Sequence, residues 1–308
     1  MQTSTAQGSP FAILALDGGG TRGVYSAQVL ARIEQETGEP TRELFDLIAG
    51  TSTGSIIAGA AAVGIPMSEV VRLFEEESKR IFQRRRLGSF HIRSKYSGRS
   101  LEQVIRGCVS DLTLGQISTP LMIMGSDIST GGVHVFKSAY PKVLGEPYVR
   151  DSDVALSDAI LASCAAPTYF DPVPVGDFLL ADGGLWANNP SIMALTEAIS
   201  KFRRSVDQVR ILSVGTGHSI NIYSRRRLWG LITGWGREKL VSYVLRLQSD
   251  ASANMTKLLL RDRYLRLDPE IEAWDLDDTE HLASLKALAT RDFALRSDAI
   301  RRNLKPAQ

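Results

Sequence analysis

The chain has 308 residues, of which 44% are hydrophobic and 23% charged, and its formal net charge is +2. That balance belongs to an ordinary globular protein, long enough to bury a substantial core without help from disulfides or metals. The two cysteines, Cys108 and Cys164, form no CxxC pair, which argues against a disulfide framework and against a Cys-rich zinc site.

The N-terminal MQTSTAQGSP lacks the basic-then-apolar layout of a secretory signal. Residues 11–16 are a short apolar run ending in Asp17-Gly18-Gly19-Gly20, which predicts a buried strand and a tight turn. A helix is predicted over 24–37, with Val24, Ala27, Leu30 and Ala31 on its apolar side, and Gly38 and Pro40 stop it. Residues 44–49 read as a second buried strand, again closed by a glycine turn, Gly50 to Gly54. Residues 55–63 are small and apolar on all sides, as a buried helix requires. The longest apolar run, 56–65, is far shorter than the ~20 residues of a membrane-spanning helix. The expectation is therefore a soluble protein of a reducing compartment, the cytoplasm.

Ser68 is placed to cap a further helix carrying Val70, Leu73, Phe74, Ile81 and Phe82 on one face. Between Glu77 and Glu102 there is no acid, while Lys79, Arg80, Arg84, Arg85, Arg86, Arg93, Lys95 and Arg99 are all basic. A second acid-free stretch, from Asp207 to Glu238, holds Arg210, Arg225, Arg226, Arg227 and Arg237. Such runs suit an anionic lipid surface or ligand, and equally a solvated loop. Strands are predicted at 121–125, 133–136, 178–181, 209–214 and 264–267, and helices at 156–162, 191–202, 239–259 and 282–302. The alternation implies a layered α/β fold with a largely parallel sheet, whose sites collect at the carboxyl ends of strands. The glycine turns lie at those ends.

Three turns carry chemistry. Gly50-Thr51-Ser52-Thr53-Gly54 is a GxSxG pattern between a strand and a helix, where a sharp turn exposes the serine as a nucleophile. The plain alternative is a glycine turn with a capping serine. Asp17-Gly18-Gly19-Gly20-Thr21-Arg22-Gly23 offers successive amides at a helix start, which can hold an oxyanion. Thr53, following the nucleophile, adds another amide. A DGGGT turn also holds phosphate in actin-like sugar kinases, so a nucleotide-dependent kinase or ATPase stands as an alternative. Asp182-Gly183-Gly184 supplies a carboxylate base. An exposed aspartate is ionised at neutral pH and can take the serine proton directly, although its low basicity limits the driving force. Of His91, His134, His218 and His281, only His218 lies in a glycine turn after a predicted strand, so a Ser-His-Asp triad through His218 remains open.

These motifs, in this order, resemble the patatin-like phospholipases. The resemblance runs over 11–217 and includes the DGGGTRG turn, GTSTG, the segment Ala162-Ser163-Cys164-Ala165-Ala166-Pro167-Thr168-Tyr169-Phe170, the DGG at Asp182, and Asn188-Asn189-Pro190. It implies a three-layer α/β/α fold with a central, mostly parallel sheet. It also implies a lipid acyl hydrolase with a dyad of Ser52 and Asp182, the glycines of the first turn as oxyanion hole, and Arg22 as the loop arginine. Gly50, Gly54, Gly183 and Gly184 then support the two catalytic turns. No cofactor or metal is expected, and no calcium-loop spacing is present.

Lys95-Tyr96-Ser97, Val135-Phe136-Lys137 and Trp186-Ala187-Asn188-Asn189-Pro190 resemble short bacterial members that act as cyclic-nucleotide-activated anti-phage effectors. That resemblance implies a cyclic di- or trinucleotide activator and a phospholipid substrate, with no nucleic-acid polymer as partner. Trp229 and Trp235, following Arg225 to Arg227, suit peripheral contact with the inner face of a membrane. The same segment suits a packing loop that closes over the site. A catalytically silent nucleotide or lipid sensor is the remaining alternative. The whole of 1–308 is read as one domain, a core over 11–217 with a helical part over 218–308 packed on it.

Overall fold

The computed structural model describes residues 9–84, 93–109, 111–140, 150–219, 229–230, 234–272 and 274–306. The chain opens with β1 (Phe11–Leu16), then α1 (Gly23–Thr37), the single turn α2 (Thr41–Leu44), β2 (Leu47–Thr51), α3 (Thr53–Ala62) and α4 (Met67–Ile81). Next come α5 (Gly98–Val109), β3 (Leu121–Asp127), β4 (Gly132–Lys137), α6 (Leu156–Ser163), β5 (Val173–Val175) and β6 (Phe178–Asp182). The last part holds α7 (Gly184–Ala187), α8 (Ser191–Ser200), β7 (Val209–Val214), α9 (Arg237–Leu260), β8 (Tyr264–Leu267) and α10 (Leu282–Arg301).

The strands form one sheet in the order β5-β6-β3-β2-β1-β7-β8, with β4 on the other side of β3. β3, β2, β1, β7 and β8 run parallel, and β4, β5 and β6 are antiparallel to their neighbours. β1 is apolar at every position because both its faces are covered. Ala12, Leu14 and Leu16 face one core with α1, α3, α4 and α10, while Phe11, Ile13 and Ala15 face a second core with α8. Successive strand side chains point to opposite faces, so a continuous apolar run demands two covering layers. This is the three-layer α/β/α fold.

Several boundaries differ from the expectation. The apolar residues from Leu44 divide between the turn α2 and a strand that starts only at Leu47. α4 begins at Met67 behind Pro66, whose extended backbone precedes the helix, so Ser68 lies inside the first turn and is not the cap. α5 was not anticipated, although Leu101, Val104, Ile105 and Val109 make a buried helical stripe. The basic run before it is partly neutralised within the fold: Arg80 pairs with Glu77 at 3.1 Å and Lys95 with Asp277 at 2.7 Å. Arg85, Arg86 and His91 lie outside the described residues, as do Arg225 to Arg227. The sheet also continues past 217, because β8 pairs with β7.

Candidate active site

β2 ends at Thr51, and α3 begins at Thr53. Ser52 alone makes the reversal and takes φ 53° and ψ −126°, a left-handed conformation that a side chain rarely adopts. The strain is held by neighbours. The Ser52 amide donates to Ser163 Oγ at 2.8 Å, and Ser163 Oγ donates to the Met124 carbonyl at 2.6 Å. The Ser52 carbonyl accepts from the Ser55 amide at 2.8 Å and hydroxyl at 2.6 Å. The tight turn also needs Gly50 and Gly54, since a Cβ on Gly50 would stand 2.4 Å from the Gly54 carbonyl oxygen and one on Gly54 2.3 Å from that of Leu16.

Asp182 arrives from the opposite direction. β6 is antiparallel to β3 and takes up the half of β3 that lies beyond the end of β2. The glycine turn at Asp182 is thus at the carboxyl end of its own strand, as expected, although that strand is not one of the parallel set. The Asp182 backbone is fixed by its amide to the Ala165 carbonyl at 3.0 Å and by Ser126 Oγ donating to its carbonyl at 2.8 Å. Its carboxylate accepts the Gly184 amide at 2.7 Å and lies beside the Ser52 side chain, which lowers its pKa. Asp182 is only 5% exposed, contrary to the expected exposed carboxylate. Burial raises its pKa to about 6, against lowering by the Gly184 amide and Ser52. The group is a stronger base than a solvated aspartate, yet mostly ionised at neutral pH.

Ser52, Asp182, Gly19, Gly20 and Thr53 line one cavity of about 70 Å³, whose walls are apolar and include Ile56, Leu73, Phe74, Phe82 and Phe170. Among the described residues, the amides of Gly19, Gly20 and Thr53 meet no acceptor. Gly18 differs. Its amide donates to the Asn188 carbonyl at 3.1 Å, and it lines a neighbouring polar cleft, so it is not an available oxyanion donor. Gly20 needs its φ of +60°, and a Cβ there would stand 1.9 Å from the Leu276 carbonyl oxygen. Arg22 Nε donates to the Gly19 carbonyl at 3.3 Å, which holds the turn, and Arg22 lines the polar cleft.

His218 does not join Ser52. It lines the polar cleft, with Nδ1 3.1 Å from Asp268 Oδ2. His134 is buried against Phe136 and Phe178, and His281 contacts Asp278 and Trp274. The carboxylate beside Ser52 is Asp182, so the histidine triad is not the arrangement assembled. The Ser163 relay and the Asn188 carbonyl were not assigned roles from sequence; both fall in segments whose only signal there was family resemblance. The subgroup motifs also have structural work. Lys137 pairs with Glu197 at 2.7 Å, Trp186 Nε1 donates to the Gly125 carbonyl at 2.9 Å, and Tyr96 hydrogen-bonds Asp277.

The family model described as "Patatin-like phospholipase" matches residues 14–195. A cGAMP-activated phospholipase of Pseudomonas aeruginosa is 32% identical over 90% of this chain and 84% of its own length. A cUMP-AMP-activated phospholipase of Escherichia coli is 28% identical over 81% of this chain and 78% of its own. The solved structure of VipD from Legionella pneumophila superposes with a TM-score of 0.51, covering 97% of this chain and 70% of that one, at 14% identity, which speaks to the fold alone. The family match runs from β1 to α8 and so contains all three glycine turns, with Ser52 and Asp182, and the relatives extend the likeness over nearly the whole chain: it belongs to the patatin-like phospholipases and is a lipid acyl hydrolase.

Proposed function

We propose that this chain hydrolyses an acyl ester of a membrane glycerophospholipid through Ser52 and Asp182, and that a cyclic oligonucleotide switches the reaction on. The observation that carries the catalytic reading is the Ser52 side chain beside a buried carboxylate, in an apolar cavity with three amides that meet no acceptor among the described residues. Asp182 takes the proton from Ser52 Oγ as that oxygen bonds the acyl carbon. The carbonyl oxygen becomes an oxyanion against the amides of Gly19, Gly20 and Thr53. The tetrahedral adduct collapses, the bond to the glycerol oxygen breaks, and the proton on Asp182 passes to that oxygen, which releases a lysophospholipid. Water then gives a proton to Asp182 and attacks the acyl-serine, and Ser52 recovers its proton as the fatty acid leaves.

The regulatory reading rests on the relatives, whose names carry two different cyclic dinucleotides. Residues 1–308 act in this reading as one domain, since β8 extends the sheet and α9 walls the cavity. The protein works in the cytoplasm, at the inner face of the membrane. Trp229 and Trp235 support that contact: they are 44% and 37% exposed with ring centroids 5.4 Å apart. No helix among the described residues is long and apolar enough to cross a membrane.

Fatty-acid release from mixed phospholipid vesicles, with and without cGAMP or cUMP-AMP, tests both parts. The expectation is release that needs a nucleotide and disappears in Ser52→Ala. Full activity of Ser52→Ala rejects the dyad, and full activity without nucleotide rejects the switch.

A further inference from the structure

A second cavity, of about 300 Å³, adjoins the one at Ser52 and is within the size range of small-ligand sites. Its cations are Arg22, Lys239, Arg246 and Arg266, and its carboxylates are Asp17, Asp268 and Asp275. The cations are not equally committed. Arg266 grips Asp17 at 2.7 and 2.6 Å and reaches Asp268 at 3.2 Å. Arg246 pairs with Asp250 at 2.8 Å and Asp268 at 3.4 Å. Asp268 also accepts from Gly217 at 3.0 Å and contacts His218 at 3.1 Å, so it has little capacity left. Among the described residues, neither Arg22 nor Lys239 forms an ion pair at bonding distance, although the charges of Asp268 and Asp275 act on Arg22. The cations of the cleft that stand outside a described ion pair come from the turn after β1 and from the first turn of α9.

Trp274 adds an aromatic surface to the same cleft, stacked on His281 with centroids 4.4 Å apart and planes at 14°. Among the described residues its buried indole N–H meets no acceptor. Cations outside an ion pair and an indole are the groups that recognise phosphodiesters joined to nucleobases.

The two cavities share a wall. Asn188, Leu245 and Leu276 line both. Val241 and Leu245 of α9 face the cavity at Ser52, while Lys239, Ser242, Arg246 and Ser249 of the same helix face the cleft. Asn188 ties the helix to the catalytic turn: its Nδ2 donates to Ser249 Oγ at 2.8 Å, and its carbonyl holds the Gly18 amide. A Cβ on Gly18 would stand 3.1 Å from Ser52 Cβ, so only the glycine backbone separates cleft from candidate nucleophile. The cavity at Ser52, about 70 Å³, is much smaller than the cleft of about 300 Å³ beside it.

We propose that the polar cleft binds the phosphodiester of a cyclic dinucleotide, and that seating it against Arg22, Lys239 and Trp274 shifts the first turns of α9 and opens the cavity at Ser52. This rests on the reading of the protein as nucleotide-activated. A phospholipid headgroup carries the same phosphodiester chemistry. The cleft excludes Ser52, Gly19 and Gly20 and lies across Gly18 from them, which favours a separate ligand over the substrate's own headgroup.

The test uses the full chain. Calorimetry measures the binding of cGAMP and of cUMP-AMP to Ser52→Ala, alone and combined with Lys239→Glu or Trp274→Ala. Lys239 is exposed, so its variant keeps the fold. The expectation is that at least one dinucleotide binds Ser52→Ala and that each added change weakens it at least 10-fold. In the Ser52 protein, Lys239→Glu raises the activating nucleotide concentration by a similar factor. Equal binding by all three proteins rejects the cleft while leaving nucleotide activation intact. Failure of both dinucleotides to bind Ser52→Ala and to activate the Ser52 protein rejects activation by dinucleotide, and the cleft assignment with it. If Lys239→Glu instead raises the KM for vesicles with nucleotide affinity unchanged, the cleft holds the headgroup and the proposal is overturned.

Discussion

Ser52 and Asp182 meet because the strands that carry them end head to head against β3. Thr51, the last residue of β2, pairs with Met124, and Asp182, the last of β6, pairs with the next residue, Gly125. One strand thus sets the spacing of the two turns. Ser163 reinforces it by bonding both the Ser52 amide and the Met124 carbonyl.

The strain at Ser52 separates its chemical role from its structural one. Ser52→Ala keeps the φ of 53° and loses the hydroxyl, so fatty-acid release falls by more than about 1,000-fold. Ser52→Gly loses activity equally but relaxes the backbone. Chemical denaturation is expected to find the glycine variant more stable than the alanine one by on the order of 1 kcal/mol.

Asp182 links activity and stability to pH. The base must be ionised, so kcat/KM rises with pH through about 6 and levels off above it. The folded-state pKa lies above the reference value of 3.8, so the fold binds this proton more tightly than the unfolded chain. The associated stability is complete below the unfolded pKa and is lost as pH rises through 6. Asp182→Asn carries no such loss. It should be inactive, yet at pH 7 more stable than the parent by about 1–3 kcal/mol, with the gap closing near pH 4. Equal stability at pH 7 would contradict the raised pKa.

Gly20→Ala meets both a positive φ and the Leu276 carbonyl. Destabilisation of more than about 2 kcal/mol is expected in urea melts, together with loss of ester hydrolysis.

Arg266 joins β8 to Asp17 at the start of the oxyanion turn. Arg266→Met leaves Asp17 buried without its counter-charge. The expected cost is about 3–5 kcal/mol by thermal or chemical unfolding. A variant as stable as the parent would mean that Asp17 is neutral in the fold.

Trp229 and Trp235 are proposed to touch the bilayer surface. The double alanine variant should co-sediment less with anionic vesicles, by about 10-fold or more, while its melting curve stays near that of the parent. Undiminished binding by the folded variant removes them from the membrane contact.

Much of the site was legible in the sequence because its signals are local. A run such as Phe-Ala-Ile-Leu-Ala-Leu, ended by Asp17 and three glycines, identifies a strand buried on both faces and a turn that no larger residue can make. GTSTG between a strand and an apolar helix likewise marks the reversal at Ser52. Burial, direction and hydrogen-bond competition are not local. The sequence does not state that β6 runs against β3, and that direction is what brings Asp182 to Ser52. Nor does it state that Asp182 is removed from water, which alters its basicity, or that Asn188 takes the Gly18 amide and leaves Gly19 and Gly20 open. The residue types and their turns were determined by the chain itself. Which amides and carboxylates are free to act was decided only when segments distant in sequence competed for the same hydrogen bonds and excluded the same water.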